Sequence, residues 1–218
     1  MKGSQKISGV MFQSAAGSDI DIQDITLSEG VNPDSGTYIM WWEGVWVKAY
    51  WVELQDVAGN PAGWGDYDNW ETITKTFELG DAFFAAPDSL TTDPAITVAG
   101  GVYDAKGAAY GAIPLTKGSM DFVSPIYPGP GLALSDIKLS EGVNPDSGTS
   151  IMWWEGVWKK AYWVELQDVD GNPAGWGDYD NWETVTKQFA QSEGYFVSAD
   201  SLTTEPAILF PNPLAAKK

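Results

Sequence analysis

The chain contains no cysteine, no histidine and no arginine. All twelve of its basic residues are lysine, against thirty Asp and Glu, which leaves a formal charge of −18 over 218 residues. Each absence removes a class of chemistry. Without Cys there are no disulfides, thiol nucleophiles or thiolate metal ligands, and without His the commonest general base and a principal zinc ligand are gone. Without Arg, and with so strong a negative field, the chain would repel phosphate backbones, so nucleic acid and anionic membrane surfaces are poor partners. No run approaches the roughly 20 apolar residues of a membrane span, so no membrane insertion is expected. Any catalysis would rest on carboxylates, while cations and neutral molecules remain open as ligands.

The opening MKGSQKISGVMFQS has a little positive charge but no continuous apolar segment. It reads as a cytosolic start or as a mature form whose export signal has been removed. A composition rich in Asp, Gly, Thr and Trp, with a pI near 4.1 and no Cys, points to an extracellular or cell-surface protein.

What is present is repetition. IMWWEGVW stands at residues 39–46 and again at 151–158. Aligned on itself, the chain matches Asp24–Phe77 to Asp136–Phe189 at a constant offset of 112, with six differences. The match loosens through ELGDAFFAAP and AQSEGYFVSA and returns in DSLTTDPAI and DSLTTEPAI. Two units of about domain size follow, 1–104 and 105–218.

Within each unit the runs are short, rich in Val, Ile, Thr, Tyr and Trp, and punctuated by Gly, Pro, Asn and Asp, which is the pattern of strands. The reading is all-β: two tandem, near-identical small antiparallel sandwich or barrel domains of about seven or eight strands each. DITL, YIMWW and VKAYWVELQDV read as strands, the last two joined by a tight EG turn. GNPAGWGDYDN reads as a loop. ETITKTF, AFFAAP and AITVAGGV complete the set. In the second unit AAYGAIPLT, around 108–116, reads as an extra entering strand that the first unit lacks.

All twelve tryptophans lie in the repeats, six per unit. A domain of this size cannot bury six indoles, so some of them should form a ligand or partner surface. Adjacent residues such as Trp41 and Trp42 must point to opposite faces of a strand. The candidate surface aromatics are Trp42, Trp46, Trp64 and Trp70, with Trp154, Trp158, Trp176 and Trp182. Exposed Trp and Tyr beside Asp, Asn and Glu suit a polysaccharide, because rings cover the apolar face of a sugar and carboxylates accept hydrogen bonds from its hydroxyls. They equally suit a protein interface.

For metal, Asp168, Asp170 and Asn172 echo a calcium loop, but Ala58 breaks the pattern in the first unit. GDYDNWE is the better candidate: Asp66, Asp68 and Glu71, repeated as Asp178, Asp180 and Glu183. The same carboxylates could be offered as a glycosidase pair, which needs about 5 to 9.5 Å between the groups, and their crowding in one loop makes that the weakest reading. No enzyme activity and no cofactor are expected.

The series SPIYPGPGLALSDIKLSEG, AYWVEL, GWGDYDNW and EGYFVSADSLT resembles uncharacterised secreted bacterial β-repeat proteins, with a proline-rich opening, a Y-x-W strand, a GW-x-D loop and an aromatic strand. The resemblance spans both units and implies an extracellular, non-enzymatic β-protein. It brings no active-site residues.

Two functions are expected from these features. The first is a structural protein whose units self-assemble head-to-tail into a filament or surface layer by strand complementation, with the apolar tail (Ile208, Leu209, Phe210, Leu214) as donor. The second is a tandem carbohydrate-binding module.

Overall fold

A computed structural model describes residues 6–9, 12–13, 19–28, 31–86, 96–98, 101–102, 108–125, 131–190 and 193–212. It is all-β, with several antiparallel sheets, and the chain divides into two compact units, Met1–Val102 and Tyr103–Lys218. No described helix is long and apolar enough to cross a membrane.

The first unit runs β1 (Lys6–Gly9), β2 (Phe12–Gln13), β3 (Ile20–Asp21), a 3-10 turn (Ile22–Asp24), β4 (Ile25–Leu27), β5 (Tyr38–Trp42), β6 (Trp46–Glu53), β7 (Ala62–Gly65), β8 (Thr76–Phe77), β9 (Ala82–Ala86), β10 (Ile96–Val98) and β11 (Gly101–Val102). A five-stranded sheet in the order β1-β9-β5-β6-β7 is accompanied by the pairs β10-β4, β11-β2 and β3-β8. Alternation along β5 sends Ile39 and Trp41 inward and leaves Tyr38, Met40 and Trp42 on the other face. The inward residues join Ile20, Ile22, Ile25, Ala49, Trp64, Phe77 and Phe83 in one core.

The second unit runs β12 (Tyr110–Pro114), β13 (Met120–Val123), β14 (Leu132–Ala133), a 3-10 turn (Leu134–Asp136), β15 (Lys138–Leu139), β16 (Ser150–Trp154), β17 (Trp158–Glu165), β18 (Ala174–Gly177), β19 (Gln188–Phe189), β20 (Tyr195–Ser198) and β21 (Ala207–Pro211). Its sheets are β13-β20-β16-β17-β18, β12-β21-β15 and β14-β19.

AGWG, expected as loop, is a strand in both units. The indole explains why. Trp64 is fully buried and its Nε1–H donates to the Ile25 carbonyl at 2.7 Å; Trp176 does the same to Ile137 at 2.8 Å. This bond ties the large sheet to the segment at β4 or β15. The glycines permit it, because a Cβ on Gly175 would stand 2.5 Å from Leu166 Cδ1 and one on Gly177 would stand 2.6 Å from Val164 Cγ2. ETITKTF, expected as a strand, is mostly extended coil: Thr72 makes an isolated bridge to Gly65, and only Thr76 and Phe77 form β8.

The tail is also placed differently from a free donor strand. β21 is the middle strand of a three-stranded sheet in its own unit, paired to β12 on one side and β15 on the other, with Ile208 and Phe210 buried. Leu209 is half-buried, and Leu214 lies outside the described residues. A strand with both edges bonded has no edge to offer. The expected extra strand is present as β12.

Candidate functional site: an outward aromatic face

The hairpin β16–β17 turns through Glu155, Gly156 and Val157, with Gly156 at φ 79°. Only a residue without Cβ takes that conformation cheaply, so the glycine sets the tight turn. The register pairs Trp154 with Trp158 across the hairpin, and their rings meet edge to face at 5.3 Å. Trp158 also meets Phe196 at 5.6 Å, and both indoles are close to half exposed. In the first unit Trp42 and Trp46 meet at 5.2 Å, and Trp46 meets Phe84 at 5.3 Å.

Side chains at every second position of β17 share a face, so Trp158, Lys160, Tyr162 and Val164 stand on the same side of the sheet. Beyond Tyr162 a groove of about 280 Å³ opens. Its walls are Tyr162, Trp163 and Val164 from the strand, Asp146 and Gly148 from the loop before β16, and Tyr179 and Trp182 from the loop after β18. Tyr179 is 64% exposed and packs on Tyr162 at 4.9 Å between ring centres. Lys160 Nζ lies 4.5 Å from the centre of the Tyr162 ring. The corresponding residues of the first unit are Asp34, Gly36, Tyr50, Trp51, Val52, Tyr67 and Trp70, identical at all seven positions. There Tyr50 and Tyr67 meet at 4.8 Å, and Tyr67 is 59% exposed.

The acidic loop holds this wall in place. Asp178 Oδ1 accepts from the Asp180 N–H at 2.8 Å, and Asn181 Nδ2 donates to Glu183 Oε2 at 3.0 Å. In the first unit Asp66 Oδ1 accepts from Asp68 and Asn69, and Asn69 Nδ2 donates to Glu71 Oε2. Of the carboxylates expected as metal ligands, those of Asp66, Glu71, Asp178 and Glu183 therefore bond within their own loop. Among the described residues no three Asp or Glu are grouped to hold a metal ion. A clamp completes the loop: Thr184 donates from both N–H and Oγ1 to Asp168 Oδ1, and these bonds hold the Asp168 carboxyl below its ordinary range. Asp56 and Thr72 repeat the clamp.

Trp70 and Trp182 both stand at φ 57°, a left-handed conformation that is a genuine outlier for a bulky residue. The surrounding bonds impose it. Trp182 N–H donates to the Asp178 carbonyl and its own carbonyl accepts from Gln167 N–H; Trp70 does likewise with Asp66 and Gln55. Asp146 and Asp34 are also left-handed, at φ 65° and 63°. The groove is thus bounded by residues held in costly backbone conformations, a pattern that concentrates at binding sites.

Of the eight tryptophans expected at the surface, Trp46, Trp154, Trp158 and Trp182 are exposed, while Trp42 and Trp70 are half-buried. Trp64 and Trp176 are corrected: both are core, turned inward and bonded to a distant carbonyl. The groove tyrosines Tyr67 and Tyr179 were absent from the expected set, although the repeated GDYDNW held them. No family model, curated protein or solved structure matches the chain, so the function rests on the geometry of this site.

Proposed function

We propose that the chain is a non-enzymatic, extracellular tandem of two near-identical β-sandwich domains, each binding a neutral polysaccharide along its outward aromatic face. The observation that carries this reading is the groove walled by Tyr162, Tyr179 and Trp182, with the same residues at the same positions in the first unit. Exposed rings cover the apolar face of a sugar, and Asp146 at the rim accepts from its hydroxyls. A net charge of −18 disfavours acidic glycans, and a cationic guest would meet Lys160 over the Tyr162 ring.

The test separates binding from folding. Replacing both left-handed indoles (Trp70→Gly, Trp182→Gly) removes a groove wall while relieving the backbone conformation. The double variant should keep its cooperative unfolding and lose retention on insoluble neutral polysaccharides. Retention equal to that of the unmodified chain would reject the site.

A further inference from the structure

The 3-10 turns that precede β4 and β15 differ at one position. Gln23 stands in the first turn and Ser135 at the corresponding place in the second, which exchanges a long carboxamide for a short hydroxyl. The Gln23 side chain bonds only to backbone. Its Nε2 donates to the Trp64 carbonyl at 2.7 Å and to the Ile73 carbonyl at 2.9 Å, and its Oε1 accepts from the Trp64 N–H at 3.1 Å. A primary carboxamide carries the matching set, two N–H donors and an acceptor oxygen. Two carbonyls and one N–H admit no other orientation of the group.

The second unit keeps the backbone half of this arrangement. Trp163 directs its N–H to the Thr149 carbonyl and its own carbonyl to the Asp146 N–H, so its pair with Trp176 is of the non-bonded kind. Trp176 therefore points its N–H and carbonyl away from β17, as Trp64 points its own away from β6. The Trp176 carbonyl accepts from Val185 N–H at 2.9 Å, as the Trp64 carbonyl accepts from Ile73 N–H at 3.0 Å. Ser135 supplies none of the three amide bonds. Among the described residues the Trp176 N–H and the Val185 carbonyl meet no protein partner, although Trp176 is buried, and a buried donor without a partner is costly.

The space is open as well. A Cβ on Gly63 would stand 2.9 Å from Gln23 Oε1, whereas the three atoms nearest to one on Gly175 all belong to Leu166. A groove of about 260 Å³ runs here, with Ser135, Thr184, Val185 and Gln188 in its walls.

We propose that this groove binds a primary carboxamide, supplied by a small amide or by an Asn or Gln side chain of a partner polypeptide. The NH2 group donates to the Trp176 and Val185 carbonyls, and the oxygen accepts from the Trp176 N–H. A secondary amide lacks the second donor. A carboxylate has no donor and faces two carbonyls on a chain of charge −18. Only the second unit offers the site, because Gln23 fills its counterpart, and the proposal does not depend on the polysaccharide reading.

Backbone amide NMR of the full chain, titrated with propionamide, reads the site directly. The Trp176 N–H should shift saturably and the Trp64 N–H should not, while N-methylpropionamide and propionate should bind at least about tenfold more weakly. Ser135→Gln should fill the groove from within and abolish the response, and Gln23→Ser should transfer the response to Trp64. A blocked peptide with one internal glutamine, compared with its alanine version, separates the sources: tighter binding than propionamide assigns the group to a polypeptide, and equal binding assigns it to a small amide. No shift at Trp176, an equal shift at Trp64 in the unmodified chain, or a response that survives Ser135→Gln would overturn the proposal. So would binding that tightens at least about tenfold in Gln188→Ala, because the groove then holds the chain's own carboxamide.

Discussion

Phe83 and Tyr195 hold corresponding places in the interiors of the two units, and both are fully buried. The exchange adds a hydroxyl that has no hydrogen-bond partner, and burial pushes its pKa well above the ordinary tyrosine value. Nearby, Ile73 becomes Val185. The seven groove positions are unchanged, with ring separations that agree to 0.1 Å between Tyr50–Tyr67 and Tyr162–Tyr179, while Tyr38, packed on Tyr50 at 5.5 Å on the outward face, becomes Ser150. An interior needs volume and tolerates an exchange that fills it. Most interior pairs, Ile39 and Ile151, Trp41 and Trp153, Trp64 and Trp176, Phe77 and Phe189 among them, are unchanged as well.

The comparison also shows small compensations. Lys75 pairs with Glu43 at 2.8 Å, and Glu43 further accepts from the Trp41 indole at 2.9 Å; bonds from Lys75 and then Trp41 hold that carboxyl below its ordinary range. In the second unit Lys187 reaches two carboxylates, Glu155 at 2.7 Å and Glu193 at 3.1 Å. Glu193 replaces Asp81, and each caps its own turn through a backbone N–H, from Ala190 and Glu78 respectively. The longer side chain caps the turn with one oxygen and meets the lysine with the other.

Removing a buried indole should break the comparison most. Trp64→Ala and Trp176→Ala each delete a large core side chain and orphan a buried carbonyl, at a cost of about 3 to 5 kcal/mol, enough to unfold a marginal domain. Denaturant unfolding of the full chain should then lose cooperativity in the altered unit and keep one transition close to its original midpoint. Unchanged midpoints in both variants would mean that these indoles are not core.

A smaller effect separates the interiors. Tyr195→Phe removes an unpartnered hydroxyl and should stabilise the second unit by about 1 kcal/mol, while Phe83→Tyr should destabilise the first by about 1 to 3 kcal/mol. Opposite signs in thermal unfolding are the expected result.

Acid sharpens the comparison further. In the second unit Asp200 is buried and accepts from Leu202 N–H, Thr203 N–H and Thr203 Oγ1 at 2.7, 2.7 and 2.9 Å, and from Thr149 Oγ1 at 3.1 Å. Burial alone would raise its pKa, but these bonds outweigh it, beginning with the Thr203 N–H, and hold the carboxyl below the ordinary aspartate range. A folded value below the unfolded one means that the contribution is complete above about pH 3.9 and is lost as pH falls through the folded value. Between pH 5 and 2 the unmodified chain should lose more melting temperature than Asp200→Asn. Parallel curves would remove Asp200 from the account.

Much of this was legible from residue order. Alternation located β5 and β6, the EG turn marked their hairpin, and the internal repeat marked the two units. The misreadings share a cause. AGWG has the local composition of a turn, and only a bond to a carbonyl 39 residues away reveals Trp64 and Trp176 as core. The Asp66 and Asp178 loops look like metal sites until their backbone N–H groups are seen to use the carboxylates. The clamps from Asp56 and Asp168 span 16 residues and follow no local pattern. The tail reads as a free apolar end because its partners, β12 and β15, lie far back in the chain.

Counting sites tests the central claim most directly. Calorimetric titration with soluble neutral oligosaccharides should give two equivalent sites per chain, one after Tyr67→Ala or Tyr179→Ala, and none detectable in the double variant, with each altered site weakened at least about tenfold, or roughly 1.4 kcal/mol. Unchanged affinity and stoichiometry in the double variant, or no binding by the unmodified chain to any neutral glycan tried, would contradict the account.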